Sequence, residues 1–286
     1  VYIDEQRAYA MNMKDRYPGD ISWLATFSME DFEEPGWAEG VIEKLQADLD
    51  QGASGFKVWK DIGMTFRDSL GNFVFLDDPL FATVLEFMEA SGKPLLAHIG
   101  EPRNCWLPLD SMTVHGDKSY FTDNPQYHMY LHPEYPSHER LMESRDHVLA
   151  RYPGLKLVGA HLGSPEWVVD VLAGRLDRYP NFAVDLAARV CHLQIQETEK
   201  VRDFLIRYQD RILYATDLGV REGNFEDTKR WLENEWHADW AYFATDSLLS
   251  SRNVDGQFRG LGLDEDVLRK IFHSNAVAWY PGAFEQ

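Results

Sequence analysis

Leu95–Glu101 reads LLAHIGE, and its reading decides the fold. An apolar run too short for a helix ends in a histidine, a glycine and an acid. That is the pattern of a buried strand that releases a polar side chain where it runs out. A near-copy follows at Leu157–Ser164, LVGAHLGS, and a third run, Ile212–Gly219, ILYATDLG, ends the same way with an aspartate. In a parallel α/β barrel the strand ends converge on one mouth, where active sites sit. His98, His161 and Asp217 are therefore expected to meet as three members of one site.

Outward from these runs the chain alternates strand and helix. Upstream, a helix at Tyr2–Tyr17 precedes the strands Ile21–Phe27 (ISWLATF) and Gly55–Trp59 (GFKVW), with the amphipathic helix Trp37–Asp50 between them. A helix at Leu80–Ala90, stopped by Gly92 and Pro94, leads into LLAHIGE. Downstream, Ser137 is placed to cap a helix at His138–Arg151. The strand Leu155–His161 follows, then a helix from Pro165 to about Tyr179, a strand at Phe182–Ala187, a helix at Gln196–Tyr208 and a strand at Ile212–Thr216. Helices near Glu226–Trp236 and at Asp264–Trp279 close the chain. Such alternation builds a parallel sheet.

Six strands are read, whereas a closed barrel has eight. At roughly 30 residues per strand–helix unit, about 60 residues of barrel would precede Val1. The expectation is an α/β fold, a TIM-like (β/α)8 barrel lacking its first one or two strands in this sequence. It forms one domain over 1–286, since no linker divides it. Residues 101–136, rich in aromatics, histidine and proline, leave just after His98 and are expected to fold over the mouth as a lid-like insertion. With the start of the chain in question, its compartment is not readable.

Lys and Arg number 28 against 47 Asp and Glu, a formal net charge of −19. Nucleic acid and anionic membrane surfaces both call for a basic face, so neither is an expected partner. No run approaches the ~18 apolar residues of a membrane span. Cys105 and Cys191 make no disulfide framework and no metal motif, and read most simply as free thiols. There is no Gly-x-Gly-x-x-Gly after a strand, no phosphate-binding loop and no Gly-x-Ser-x-Gly elbow. A small molecule is the expected partner, and assembly into a homo-oligomer is left open.

AHIGE, GAHLGS and DRILYATD, followed by LRKIFHSNAVAWY, resemble the amidohydrolase superfamily from about Ile21 to the C-terminus. The resemblance is closest to the amidohydrolase-2 branch, which contains aminocarboxymuconate semialdehyde decarboxylase. It implies one divalent metal at the mouth, zinc first, with manganese or iron as alternatives. The family pattern places histidines on the fifth and sixth strands and an aspartate on the eighth, which carry over to His98, His161 and Asp217. The family's His-x-His pair on the first strand has no counterpart here. Either it lies on upstream strands, or this chain does not bind metal in the family way.

The chemistry of the residues agrees with that reading. Neutral imidazole and carboxylate suit zinc, manganese or iron, and a catalytic ion keeps a position open for water. His98, His161 and Asp217 form the expected ligand set. Asp217 is also the expected proton acceptor, and His161 is either a ligand or the group that orients the water. Asp246 rivals Asp217, because Phe243–Asp246 (FATD) echoes YATD. Lys57, on the strand before that of His98, or Lys60 just after it, is expected to meet an anionic substrate group, with a plain salt bridge as the other reading. Glu101 and Arg103 are expected to touch substrate, with lid-anchoring ion pairs as the plainer reading. Asp185 and Arg189 read as support. Three functions follow: hydrolysis of an amide, ester or lactone of a small acidic or sugar-like molecule by metal-activated water; non-oxidative decarboxylation on the same site; or a metal-free binding module on a decayed barrel.

Overall fold

Short apolar runs form the centre of the molecule. The computed structural model, which describes residues 3–219 and 225–284, sets five strands side by side. They are β1 (Phe56–Val58), β2 (Leu95–Ala97), β3 (Leu157–Gly159), β4 (Phe182–Asp185) and β5 (Ile212–Leu213), in that order and all parallel. The register pairs Lys57 with Leu96, Leu96 with Val158, and Val158 with Ala183. Successive side chains on a strand face opposite ways. Phe56, Val58, Leu95, Leu157, Phe182, Val184 and Ile212 therefore pack outward on the helices in the main core. Leu96, Val158, Ala183 and Leu213 face inward and are met by Trp279 and Tyr280. One pleat step further toward the strand ends, the same inner face carries His98 and Asp185.

In chain order the helices are α1 (Ile3–Arg16), α2 (Trp37–Asp50), the single turn α3 (Asp61–Met64), α4 (Ala82–Ser91), α5 (His115–Asp123) and α6 (His138–Arg151). They continue as α7 (Val169–Arg178), α8 (Val190–Gln194), α9 (Thr198–Arg207), α10 (Phe225–Ala244), α11 (Glu265–Arg269) and α12 (Asn275–Trp279), with a two-stranded hairpin, β6 (Leu248–Leu249) and β7 (Phe258–Arg259), after α10. Local chemistry sets several boundaries. Ser137 Oγ accepts the Arg140 N–H at 3.2 Å at the start of α6, and the Glu197 carboxylate accepts from Glu199 and Lys200 at the start of α9. Gly92, at φ 68°, ends α4. Val169, Leu172 and Leu176 give α7 one buried stripe. No described helix is long and apolar enough to cross a membrane.

Several expectations need correction. Ile21–Phe27 is not a full strand: it reaches the sheet through one parallel bridge, Ala25 to Phe56, with Ala25 N–H on Gly55 O and Lys57 N–H on Ala25 O. The helix expected from Pro165 starts at Val169, whose N–H is capped by the Gln196 side chain at 2.9 Å. Residues 101–136 contain α5 and four 3-10 turns and are more regular than a loop. α10 runs through Ala244, so FATD lies at a helix end and not at a strand end. The terminal helix passes through a π turn at Lys270–Ser274 between α11 and α12. Both cysteines are free, as the sequence reading expected.

Candidate active site at the strand ends

His98 continues the ladder beyond β2, its N–H donating to Val58 O at 3.1 Å. Its ring meets that of His161 edge-on, with centroids 4.3 Å apart and planes at 62°. His98 Nε2 is buried and has no hydrogen-bond partner. Burial first, then the neighbouring His161 and Lys57 charges, push its pKa down to about 2. The ring is therefore a neutral imidazole with a bare nitrogen in a dry place.

His161 is placed by an unusual turn. His161, Leu162, Gly163 and Ser164 have φ of 61°, 56°, 63° and 68°, a left-handed turn in which only one residue is glycine. Each non-glycine residue there costs about 1–2 kcal/mol, so the surroundings must impose the shape. Asp185 Oδ1 accepts the His161 N–H at 2.8 Å and the Ala187 N–H at 3.1 Å. Ser164 Oγ donates to Ile99 O at 2.8 Å, and His138 Nε2 donates to Ser164 O at 3.0 Å. The buried Arg145 donates to Gly163 O from beneath. Close approach requires the glycines: a Cβ on Gly163 would lie 2.9 Å from the Phe182 ring, and one on Gly159 2.8 Å from Gly163 Cα.

The turn also orients the ring. His161 Nδ1 lies 2.8 Å from Ala187 O, which can only accept, so the proton is on Nδ1 and Nε2 keeps its lone pair. Burial, then the Arg189 charge, push the His161 pKa down to about 4. Of the six described non-glycine residues with positive φ, five stand at the ends of β3, β4 and β5: His161, Leu162, Ser164, Ala188 and Asp217. The strain is concentrated at the mouth.

Asp217 lies beyond β5 and is exposed. Its negative charge bears on His161 and Lys57. Lys57 faces the lumen with Nζ 4.8 Å from the Trp59 ring, and burial lowers its pKa against the opposing pull of Asp185 and Asp217. Asp185, buried at the end of β4, is pushed up to about 6 by desolvation. Of the three residues read from the strand ends, His98 and His161 are in ring contact, while Asp217 is exposed beyond β5 and acts on His161 and Lys57 through its charge.

Glu101 and Arg103 are engaged elsewhere. Glu101 pairs with Lys60. Arg103 lies over the Trp167 ring at 4.8 Å, and its N–H donates to Glu166 at 2.8 Å. His128 of the insertion lies between Phe121 and Tyr130, and His138, the first residue of α6, lies between Trp106 and Trp167. The sequence reading missed Arg145 and Ser164, whose task is to hold the left-handed turn. A charged residue in a helix and a serine after a glycine give no signal of that task.

The imidazole pair fits a divalent ion as far as it goes. Both rings are neutral, the Nδ1–H of His161 leaves its Nε2 unprotonated, and Nε2 of His98 is buried without a partner, a place that a metal bond would satisfy. Among the described residues no group of three His, Cys, Asp or Glu side chains is placed to hold a metal. The donors present are therefore two nitrogens with Asp217 at the rim, short of a finished cage.

The sequence profile of a family described as amidohydrolase matches residues 5–282. No curated protein matches the chain. An uncharacterized TIM-barrel protein from Bordetella bronchiseptica is 17% identical, with 98% of this chain and 73% of that one covered and a TM-score of 0.53. The 2,6-dihydroxybenzoate decarboxylase from Rhizobium is 16% identical over 97% of this chain and 76% of that one, also at 0.53. A dihydroxybenzoic acid decarboxylase from Polaromonas, with bound manganese and the inhibitor 2-nitroresorcinol, is 17% identical over 97% and 74%, again at 0.53. At such identities the likeness is one of fold, the TIM-like α/β barrel.

Proposed function

The chain belongs to the amidohydrolase family, in the amidohydrolase-2 branch, and from that premise we propose that it is a metal-dependent, non-oxidative decarboxylase of a small carboxylic acid. The observation that carries this reading is the His98–His161 pair: two buried neutral imidazoles edge to edge, one with an unpartnered nitrogen. The decarboxylases among the structures of like fold favour this chemistry over the hydrolysis that the sequence suggested first.

His98 and His161 are the groups of this chain that would hold the ion. Once bound, the ion would supply a Lewis acid that fixes a substrate oxygen and steadies negative charge. Manganese and zinc both suit this donor set. Lys57 adds a positive charge in the lumen and orients the anionic substrate. The bond from the ring or chain carbon to the carboxylate breaks, its electron pair stays on carbon, and carbon dioxide leaves. That carbon then takes a proton through Asp217, which recovers it from solvent. Asp217 lines a cavity of about 580 Å3 with Thr216, Cys191, Glu235 and Asp239, and neither His98 nor His161 is in its lining. Residues 101–136 serve as the lid, with the Glu101–Lys60 pair and the Arg103–Trp167 stack as its anchors.

Hydrolysis is the second reading, favoured by the exposure of Asp217, which puts water within reach of a general base. The test is a panel of hydroxybenzoic and unsaturated dicarboxylic acids with added manganese or zinc, read for carbon dioxide. Release of carbon dioxide is expected. Turnover of esters, lactones or amides with none released overturns decarboxylation.

A further inference from the structure

The mouth holds a second group of buried polar side chains that the reaction above does not use. Arg189, just past β4, is 8% exposed. Its Nη1 donates to Ala188 O at 3.1 Å, its Nε has no partner, and it makes no salt bridge to any described carboxylate. Two residues before it, Ala187 O accepts from His161 Nδ1 at 2.8 Å, so Arg189 follows directly on the segment that holds the imidazole pair.

Around it are Glu166, 1% exposed, and His192, fully buried. Glu166 Oε1 accepts the Arg103 N–H, while Oε2 has no partner. His192 Nε2 lies 3.1 Å from the Asp117 carboxylate, which also accepts from Asn104 Nδ2 at 2.9 Å. Asp117 and Asn104 belong to the 101–136 insertion, so this cluster is where the insertion meets the mouth. Arg189 forms no ion pair with a described carboxylate, although its charge bears on Glu166 and Asp117 from further off. A guanidinium presents five N–H groups in a rigid fork that matches a planar carboxylate, and leaving a buried N–H such as Nε unpaired is costly.

We propose that Arg189 is a substrate-binding residue that grips a carboxylate of a small aromatic or unsaturated acid beside the imidazole pair. The proposal rests on the reading above only in placing the substrate at that pair. It assigns Asp117 and Asn104 a part in the grip: they hold His192 and the insertion against the bound acid, so the carboxylate is enclosed once the insertion is seated.

The probe is benzoate, titrated into the metal-loaded protein by calorimetry, with benzamide, the same ring without the charge, as control. Benzoate is expected to bind wild type and to bind Arg189→Gln about tenfold or more weakly. Arg189→Lys, which keeps the charge and loses the fork, should fall between. Benzamide should bind all three equally poorly. Absence of benzoate binding to wild type, or equal affinity for wild type and Arg189→Gln, overturns the proposal. Should Arg189→Gln fail to fold, Arg189→Lys decides: weaker benzoate binding at an unchanged unliganded melting temperature supports the grip, and unchanged affinity overturns it. This experiment reads binding, not carbon dioxide, so its failure and that of the decarboxylase reading are separate results.

Discussion

At the end of β2, His98 keeps the extended ladder, and the chain turns left-handed only at Gly100. At the end of β3, His161 turns left-handed at once and drags Leu162 and Ser164 with it. Both segments read Ala-His-apolar-Gly. The difference lies in what stands around them. Asp185 takes the His161 N–H, Arg145 takes Gly163 O, and Ser164 bonds Ile99 O. Among the described residues no comparable set of bonds bends the first copy. The result is one ring locked by its Nδ1–H and one ring with a bare nitrogen, facing each other. A short motif therefore places a histidine at the mouth, while its neighbours decide which nitrogen is offered.

The largest expected effect leaves both copies intact and removes the acid whose charge bears on His161. Asp217→Asn should lower turnover about 10²–10⁴-fold, while its melting temperature stays unchanged because the side chain is exposed. Full activity in Asp217→Asn together with an inactive Asp246→Asn would move the acid to the end of α10.

The glycines sharpen the comparison next. Gly163→Ala combines a positive φ with a Cβ 2.9 Å from the Phe182 ring and should lose about 2–4 kcal/mol in urea unfolding. Gly100→Ala has a positive φ but a Cβ 3.3 Å from a flexible Leu141 methyl, and should lose about 1–2 kcal/mol. Equal losses would mean that the two turns are held alike. The smallest effect concerns the rings in metal-free protein. His161→Ala gives up the bond to Ala187 O and should cost about 1–2 kcal/mol. His98→Ala gives up no ring hydrogen bond at Nε2 and should cost less than His161→Ala in the same urea titration.

Much of the frame was legible because its signals are local. Trp37 and Asp50 bound α2, Ser137 caps α6, and the three apolar runs became β2, β3 and β5 in parallel register. Ile21–Phe27 misled because an apolar run says that a segment is buried, not that it pairs along its length. FATD offered a rival because it echoes YATD, yet Phe243 and Ala244 belong to α10, where Tyr242 and Phe243 are the buried residues. At the site, the meeting of His98 and His161 followed from strand order. The left-handed turn did not, since Leu162 and Ser164 give no sign of positive φ and their supports come from α6 and β4. Glu101 and Arg103 were read by nearness to His98 in sequence, but their side chains found Lys60 and Trp167 first.

The account's central claim is that the His98–His161 pair supplies the nitrogen donors of a metal centre. Elemental analysis of purified wild type and His98→Ala tests it most directly. The account predicts about one divalent ion per chain in wild type and its loss in a His98→Ala protein that melts normally. Metal content unchanged by His98→Ala, or no divalent metal retained by wild type in excess manganese and zinc, contradicts it.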